Sequence, residues 1–205
     1  MCQLIVDLPS WAVGITMGVV QDIGNLIPQI RAVMLDKGYQ RREEAFMLSS
    51  GAYSHDYVDC RKALARGSDL ALVAQGVISQ AQANSITFEL VGGLTMGADP
   101  LSHAISIITG LGWFSVRKQA KSHGTSKEIE GSTIAHDQKV LLVEDVVTSG
   151  SSIIHAYESV VNAGGKVVGA IPLLDRGDKG IKIFSDLGIP YFPLLSYKDL
   201  GIDPI

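Results

Sequence analysis

Only two cysteines, Cys2 and Cys60, occur in the 205 residues. They match neither a disulfide framework nor the paired spacings of a zinc site, so both classes are set aside and a reducing cytoplasm is the expected home. Long apolar runs are also missing. No stretch reaches the ~18 residues that a membrane span needs. Met1 to Val20 is apolar but has no basic start, and Asp7 and Pro9 interrupt it. It is therefore expected to belong to the fold rather than to a signal peptide. Positive charge is scarce: the net charge is -4. That argues against non-specific nucleic-acid binding, which needs a broad basic surface, and neither nucleic acid nor membrane is expected as a partner. Low-complexity tracts and internal repeats are absent too. What is there, 46% hydrophobic and 19% charged residues, is ordinary for a folded chain with one buried core.

Periodicity sets the expected elements. Apolar residues at Ile23, Leu26, Ile27, Ile30, Val33 and Met34 have helix spacing, so a helix is predicted over Asp22 to Lys37 with Gly38 as its stop. Phe46 to Asp59 reads as strand and turn, and Arg61 to Ala81 as a second helix weakened by Gly67 and Gly76. From Ile86 the pattern alternates. Strands are predicted at Ile86 to Val91, Gly112 to Val116, Lys139 to Val143 and Lys166 to Leu174, and helices at Leu101 to Thr109 and Ser151 to Ala163. Arg117 to Asp137 lacks periodicity and reads mostly as a long loop. Alternating strand and helix specify an α/β fold: a mostly parallel central sheet flanked by helices, in a single domain over 1–205. Ligands in such sheets sit at the carboxyl ends of the strands.

The motif with most chemical content is VLLVEDVVTSGSS, Val140 to Ser152. An apolar strand runs into Glu144 and Asp145, whose carboxylates suit vicinal ribose hydroxyls. Thr148, Ser149, Gly150, Ser151 and Ser152 are small enough for the backbone to bend around a phosphate. Their amides, their hydroxyls and the positive end of the following helix would all face it. One segment can thus hold a ribose and its 5'-phosphate. A magnesium strand of a P-loop ATPase would need a partner G-x-x-x-x-G-K-[ST] loop, but Ala98-Asp99 follow Gly92 to Gly97, and no dinucleotide G-x-G-x-x-G is present either. A strand–turn–helix of purely structural role is the remaining alternative.

VLLVEDVVTSGSS resembles the phosphoribosyl pyrophosphate (PRPP) motif of type I phosphoribosyltransferases. The resemblance implies that Glu144 and Asp145 hold the ribose hydroxyls and that Thr148 to Ser152 hold the 5'-phosphate. RKQAKSHG, Arg117 to Gly124, is similar to the catalytic loop of the orotate phosphoribosyltransferases within that class, and Ile129-Glu130-Gly131 also fits. By that likeness Arg117, Lys118, Lys121 and His123 bind PRPP, and Lys121, His123 and Asp145 are catalytic. Cations on a closing loop suit a departing pyrophosphate. Taken alone, a charge run is as readily a solvated face.

Weaker matches extend the likeness from about Phe46 to the C-terminus. FMLSSGAYSHDYVDCR, Phe46 to Arg61, resembles the segment that caps the base. VGGLTMGADP, Val91 to Pro100, occupies the position of the pyrophosphate loop. Arg176, after Leu174-Asp175, stands where the family's arginine contacts orotate, with Thr148 as a second orotate contact. A carboxylate-bearing base calls for such a forked donor. Two departures stand out: Ser49 where many relatives have lysine, and Met96-Gly97 where many have Tyr-Lys.

The resemblance implies a type I phosphoribosyltransferase fold. A helix and hood would span about residues 1–60, a PRPP-binding core 85–175, and the rest of core and hood 176–205. It also implies Mg²⁺-dependent transfer of phosphoribosyl from PRPP to orotate in pyrimidine synthesis, with the metal held mainly by substrate. Finally it implies a homodimer whose active sites are shared across the interface. Another base, or a non-catalytic sensor of PRPP, are the alternatives.

Overall fold

The computed structural model describes residues 21–47, 53–118 and 128–203. Lys121, His123, Ser49 and the segment before Gln21 lie outside the described residues. A helix α1 (Ile23–Val33) is capped by Asp22, whose carboxylate accepts from the Gly24 amide at 3.0 Å. One wide turn, Met34–Gly38, continues it to the residue predicted as its stop. An antiparallel hairpin follows, β1 (Tyr39–Met47) and β2 (Tyr53–Val58), standing apart as its own two-stranded sheet. The helix expected over Arg61 to Ala81 is two helices, α2 (Cys60–Ala63) and α3 (Gly67–Ala83). The break falls where Arg66 is extended (φ -91°, ψ 134°), and Gly67 opens the second helix instead of interrupting it.

The main sheet begins with β3 (Leu90–Leu94), then α4 (Asp99–Thr109), β4 (Gly112–Val116) and β5 (Ile129–Gly131). The chain continues through β6 (Lys139–Val147), α5 (Ser151–Asn162), β7 (Lys166–Asp175), α6 (Lys179–Asp186) and the short β8 (Leu195–Ser196). The order across the sheet is β5-β4-β3-β6-β7-β8, and every pairing is parallel except β4 with β5. This is the α/β architecture expected. Two corrections apply. Part of the stretch read as loop forms β5, which pairs with Phe114 to Val116. And β6 does not stop at Val143: β7 supplies partners as far as Val147↔Asp175, so Glu144 and Asp145 lie within the strand. β3 is likewise displaced from the predicted Ile86 to Val91, because β4 pairs with it through Leu94.

Both faces of the sheet are covered. Leu141 and Val143 of β6 join a core with α1, α3 and α4, including Leu26, Ile30, Val77 and Leu101. Val140 and Leu142 join the other with Ile153 and Val160 of α5 and Phe184 of α6. Alternate residues thus enter opposite cores, which is why the strand reads as an unbroken apolar run. Among the described residues no helix is long and apolar enough to cross a membrane.

The topology also decides where a ligand fits. From β3 the chain crosses to β4 on one side, and β6 then returns on the other side of β3. The strand order reverses between β3 and β6, and such a switch point leaves a crevice beyond the carboxyl ends of the two strands. The pairing of β3 with β6 ends at Gly92↔Leu142, two residues before Glu144.

Candidate active site

A cleft of about 630 Å³ opens at that switch point. Three segments and two single cations line it: Tyr57 to Arg61, Leu94 to Gly97, the run from Glu144 through Ile153, and Lys118 and Lys179. Its volume falls in the range of small-molecule sites. The acidic pair forms its floor. Glu144 is buried at 4% exposure, and its Oε2 has no hydrogen-bond partner among the described residues. Its Oε1 accepts from the Asp145 amide at 3.3 Å, while Asp145 Oδ1 accepts from the Val146 amide at 2.8 Å. Burial, and then the neighbouring Asp145 carboxylate, pushes the Glu144 carboxyl well above the usual range. A carboxyl held this way, with one oxygen unsatisfied, is disposed to accept from an incoming hydroxyl or cation.

The loop after β3 closes on the same pair. A side-chain carbon on Gly97 would sit 2.1 Å from Glu144 Oε1 and 2.6 Å from Asp145 Oδ1, so any larger residue there would require the two carboxylates to shift. The loop packs its bare backbone on the acids, while Met96, also on the cleft, is 64% exposed.

Beyond the acids the chain turns through Thr148 and Ser149 into α5. Gly150 takes a left-handed conformation (φ 79°) and caps the helix, its carbonyl accepting from the Ile154 amide at 3.0 Å. A Cβ there would also meet Ile183 of α6 at 2.4 Å, so the residue is glycine on two counts. Ser149 and Ser151 exchange a hydroxyl contact at 3.0 Å. Hydroxyls, first-turn amides and a helix start therefore converge on one end of the cleft, the arrangement that binds phosphate.

The structure brings together Lys118, Glu144, Asp145, Thr148, Ser149, Gly150, Ser151 and Ser152. Two other predicted residues point elsewhere. Arg117 donates to Glu130 at 3.3 Å across β4 and β5 and does not line the cleft. Arg176 lines a second cavity of about 200 Å³ with Tyr197 and Lys198. Its guanidinium lies 5.1 Å from the centre of the Tyr197 ring and donates to that hydroxyl. It is still close enough to Cys60 that its charge opposes the burial that raises that thiol. Asp175 shapes the turn behind it, accepting from Tyr191 at 2.7 Å and from the Gly177 amide at 3.1 Å.

Sequence reasoning missed Lys179 and α6 entirely, and also the side chains of Thr95 and Asp99. A lysine at a helix start carries no signal by itself. Thr95 and Asp99 lie inside VGGLTMGADP, so the segment was visible although the bonds of its side chains were not.

Comparison with known proteins bears on this geometry. The model of the phosphoribosyl transferase domain matches residues 62–187. An orotate phosphoribosyltransferase of Rhodopirellula baltica is 33% identical over 189 residues, covering 88% of this chain and 96% of that protein. One from Mycobacterium avium is 39% identical over 157 residues, 76% of this chain and 86% of its own. Among solved structures, the orotate phosphoribosyltransferase of Mycobacterium tuberculosis in complex with PRPP superposes with a TM-score of 0.71. It is 31% identical, over 86% of this chain and 99% of that one.

Proposed function

Because the chain belongs to the phosphoribosyl transferase domain family, we propose that it transfers the 5-phosphoribosyl group of PRPP to orotate. The products are orotidine 5'-monophosphate and pyrophosphate, and the step belongs to pyrimidine synthesis. The observation that carries this reading is the placement of Glu144 and Asp145 beside the Thr148 to Ser152 turn in one cleft. A ribose on the acids puts its 5'-phosphate on that turn. The relatives named above support orotate as the base.

The bond from the ribose C1 to pyrophosphate breaks, its electron pair leaving with pyrophosphate, as the bond to the orotate ring nitrogen forms and that nitrogen's proton passes to pyrophosphate or solvent. Positive charge develops on the ribose ring and negative charge on pyrophosphate. The protein's part is positioning and electrostatics. Glu144 and Asp145 hold the ribose hydroxyls and face the positive ring. Lys118 from the cleft, with Lys121 and His123 from the catalytic loop, faces the leaving group. Arg117 would have to release Glu130 to join them. Mg²⁺ suits this donor set, since hard cations take oxygen ligands and Glu144 Oε2 is a buried oxygen with no described partner. It would be held mainly by substrate oxygens with the two acids beside them, and when bound it would offset charge on pyrophosphate. A cytoplasmic homodimer, with the loop of one subunit closing over the other's cleft, completes the reading.

Orotate specificity is tested through Arg176. Arg176 does not line the large cleft, so for a base held there to reach it the guanidinium would have to leave Tyr197. Arg176→Ala is expected to raise the KM for orotate on the order of tenfold and that for PRPP far less, since a forked charge-assisted contact is lost at one substrate only. Equal changes in both constants would remove Arg176 from the base site.

A further inference from the structure

Asp99, the first residue of α4, is half-buried and uses both carboxylate oxygens on hydroxyls from different elements. Oδ2 accepts from Thr95 at 2.7 Å, and Oδ1 accepts from Ser115 of β4 at 2.5 Å. The Thr95 amide donates to the Val116 carbonyl at 2.8 Å, so the loop is tied to β4 by backbone as well. Ser115 is itself buried, at 9% exposure. One carboxylate thus joins the segment that follows β3 to the strand that leads into Arg117 and Lys118.

The consequence lies on the other side of the loop. Thr95, Met96 and Gly97 line the large cleft, and Gly97 sits so close to the acids that a Cβ there would lie 2.1 Å from Glu144 Oε1 and 2.6 Å from Asp145 Oδ1. A shift of the loop by a few tenths of an ångström therefore changes the space above the acids. A charge-assisted hydrogen bond is shorter and stronger than a neutral one, and two of them on one planar carboxylate fix both distance and direction.

We propose that Asp99 is a positioning residue for the diphosphate end of the substrate: through Thr95 and Ser115 it holds the Thr95 to Gly97 backbone at a set height over Glu144 and Asp145. The inference rests on the PRPP reading above. It differs from simple stabilisation of α4 by an acid in its first turn, an effect that any acid there would supply and that would not depend on Ser115.

The test compares Asp99→Ala, Asp99→Asn, Ser115→Ala and the double variant Asp99→Ala/Ser115→Ala. Steady-state kinetics give KM for PRPP and orotate. Calorimetry gives the affinity for pyrophosphate alone. Asp99→Ala is expected to raise the KM for PRPP and weaken pyrophosphate by about tenfold, leaving the KM for orotate within about twofold. The double variant should be no worse than Asp99→Ala, because Ser115 acts through the same carboxylate. Asp99→Asn should recover most of the loss, its amide accepting from one hydroxyl and donating to the other. Additive effects of Asp99→Ala and Ser115→Ala, or a drop in melting temperature with unchanged PRPP and pyrophosphate constants, would overturn the proposal. Should Asp99→Ala fail to fold, Ser115→Ala carries the same readouts, with a selective weakening of PRPP expected and equal effects on both substrates overturning it. The pyrophosphate titration needs no turnover, so it still decides the role of Asp99 if the wild-type protein processes no base. That result would count against the proposed reaction instead.

Discussion

Replacing Glu144 by Gln and Asp145 by Asn together is expected to weaken PRPP binding by about 10²- to 10⁴-fold. Two charge-assisted hydrogen bonds at roughly 1.5–3 kcal/mol each supply that factor. The folded protein should move the other way. Burial and the charge of Asp145 raise the Glu144 carboxyl above its usual range. A group whose folded pKa lies above its unfolded value gives its full contribution to stability below the unfolded value. It loses that contribution as pH rises through the folded one. As pH rises above the ordinary carboxylate range, the wild-type protein therefore bears a growing cost, that of holding the proton on Glu144 or of burying its charge. Glu144→Gln alone removes it and should raise the melting temperature by roughly 2–10 °C. The gain over wild type should be larger at pH 8 than at pH 5. Titration calorimetry with PRPP and thermal melts at the two pH values read both effects. Unchanged PRPP affinity in the double variant would remove the acids from the ribose site.

Lys121→Ala is expected to fold normally and lose turnover on the order of 10²- to 10³-fold, since it removes a charge needed mainly as pyrophosphate departs. The expected dimer makes a sharper version possible. If the loop of one subunit serves the cleft of the other, Lys121 acts on the partner's site. Mixing Lys121→Ala with Asp145→Asn under exchange conditions then yields mixed dimers with one intact site and one doubly defective site. Random mixing makes about half the dimers mixed, so activity should recover to about a quarter of wild-type sites under two-fold pairing. Activity no higher than the mean of the two parents, with exchange verified by mass, would show that the loop works within its own subunit or that the assembly differs.

Local patterns carried the fold, and contacts between distant segments carried what was misjudged. Val140 to Ser152 reads as strand, turn and helix because each part is local: an apolar run, a left-handed glycine, a helix start. The length of β6 does not, because its last residues are strand only through β7. α6 escaped notice because Lys179–Asp186 is short and carries two lysines, and its apolar side depends on Tyr191, stacked on Phe184 at 5.1 Å. The acids, the hydroxyl turn and Lys118 were visible as one site, since the family motif and the strand-end rule point to the same cleft. The orientation of Arg176 was not, since the partner that turns it, Tyr197, lies 21 residues on. Asp99 shows the same limit: its second anchor, Ser115, is 16 residues away on a neighbouring strand.

Transfer of phosphoribosyl from PRPP to orotate in this cleft is open to direct assay. Pyrophosphate release and nucleotide formation, followed with PRPP and each of orotate, uracil, adenine and hypoxanthine, with and without Mg²⁺, test it most directly. Orotate is expected to give stoichiometric orotidine 5'-monophosphate and pyrophosphate, dependent on Mg²⁺, and the other three bases little product. Preferential turnover of another base, or PRPP binding with turnover of none, would contradict it.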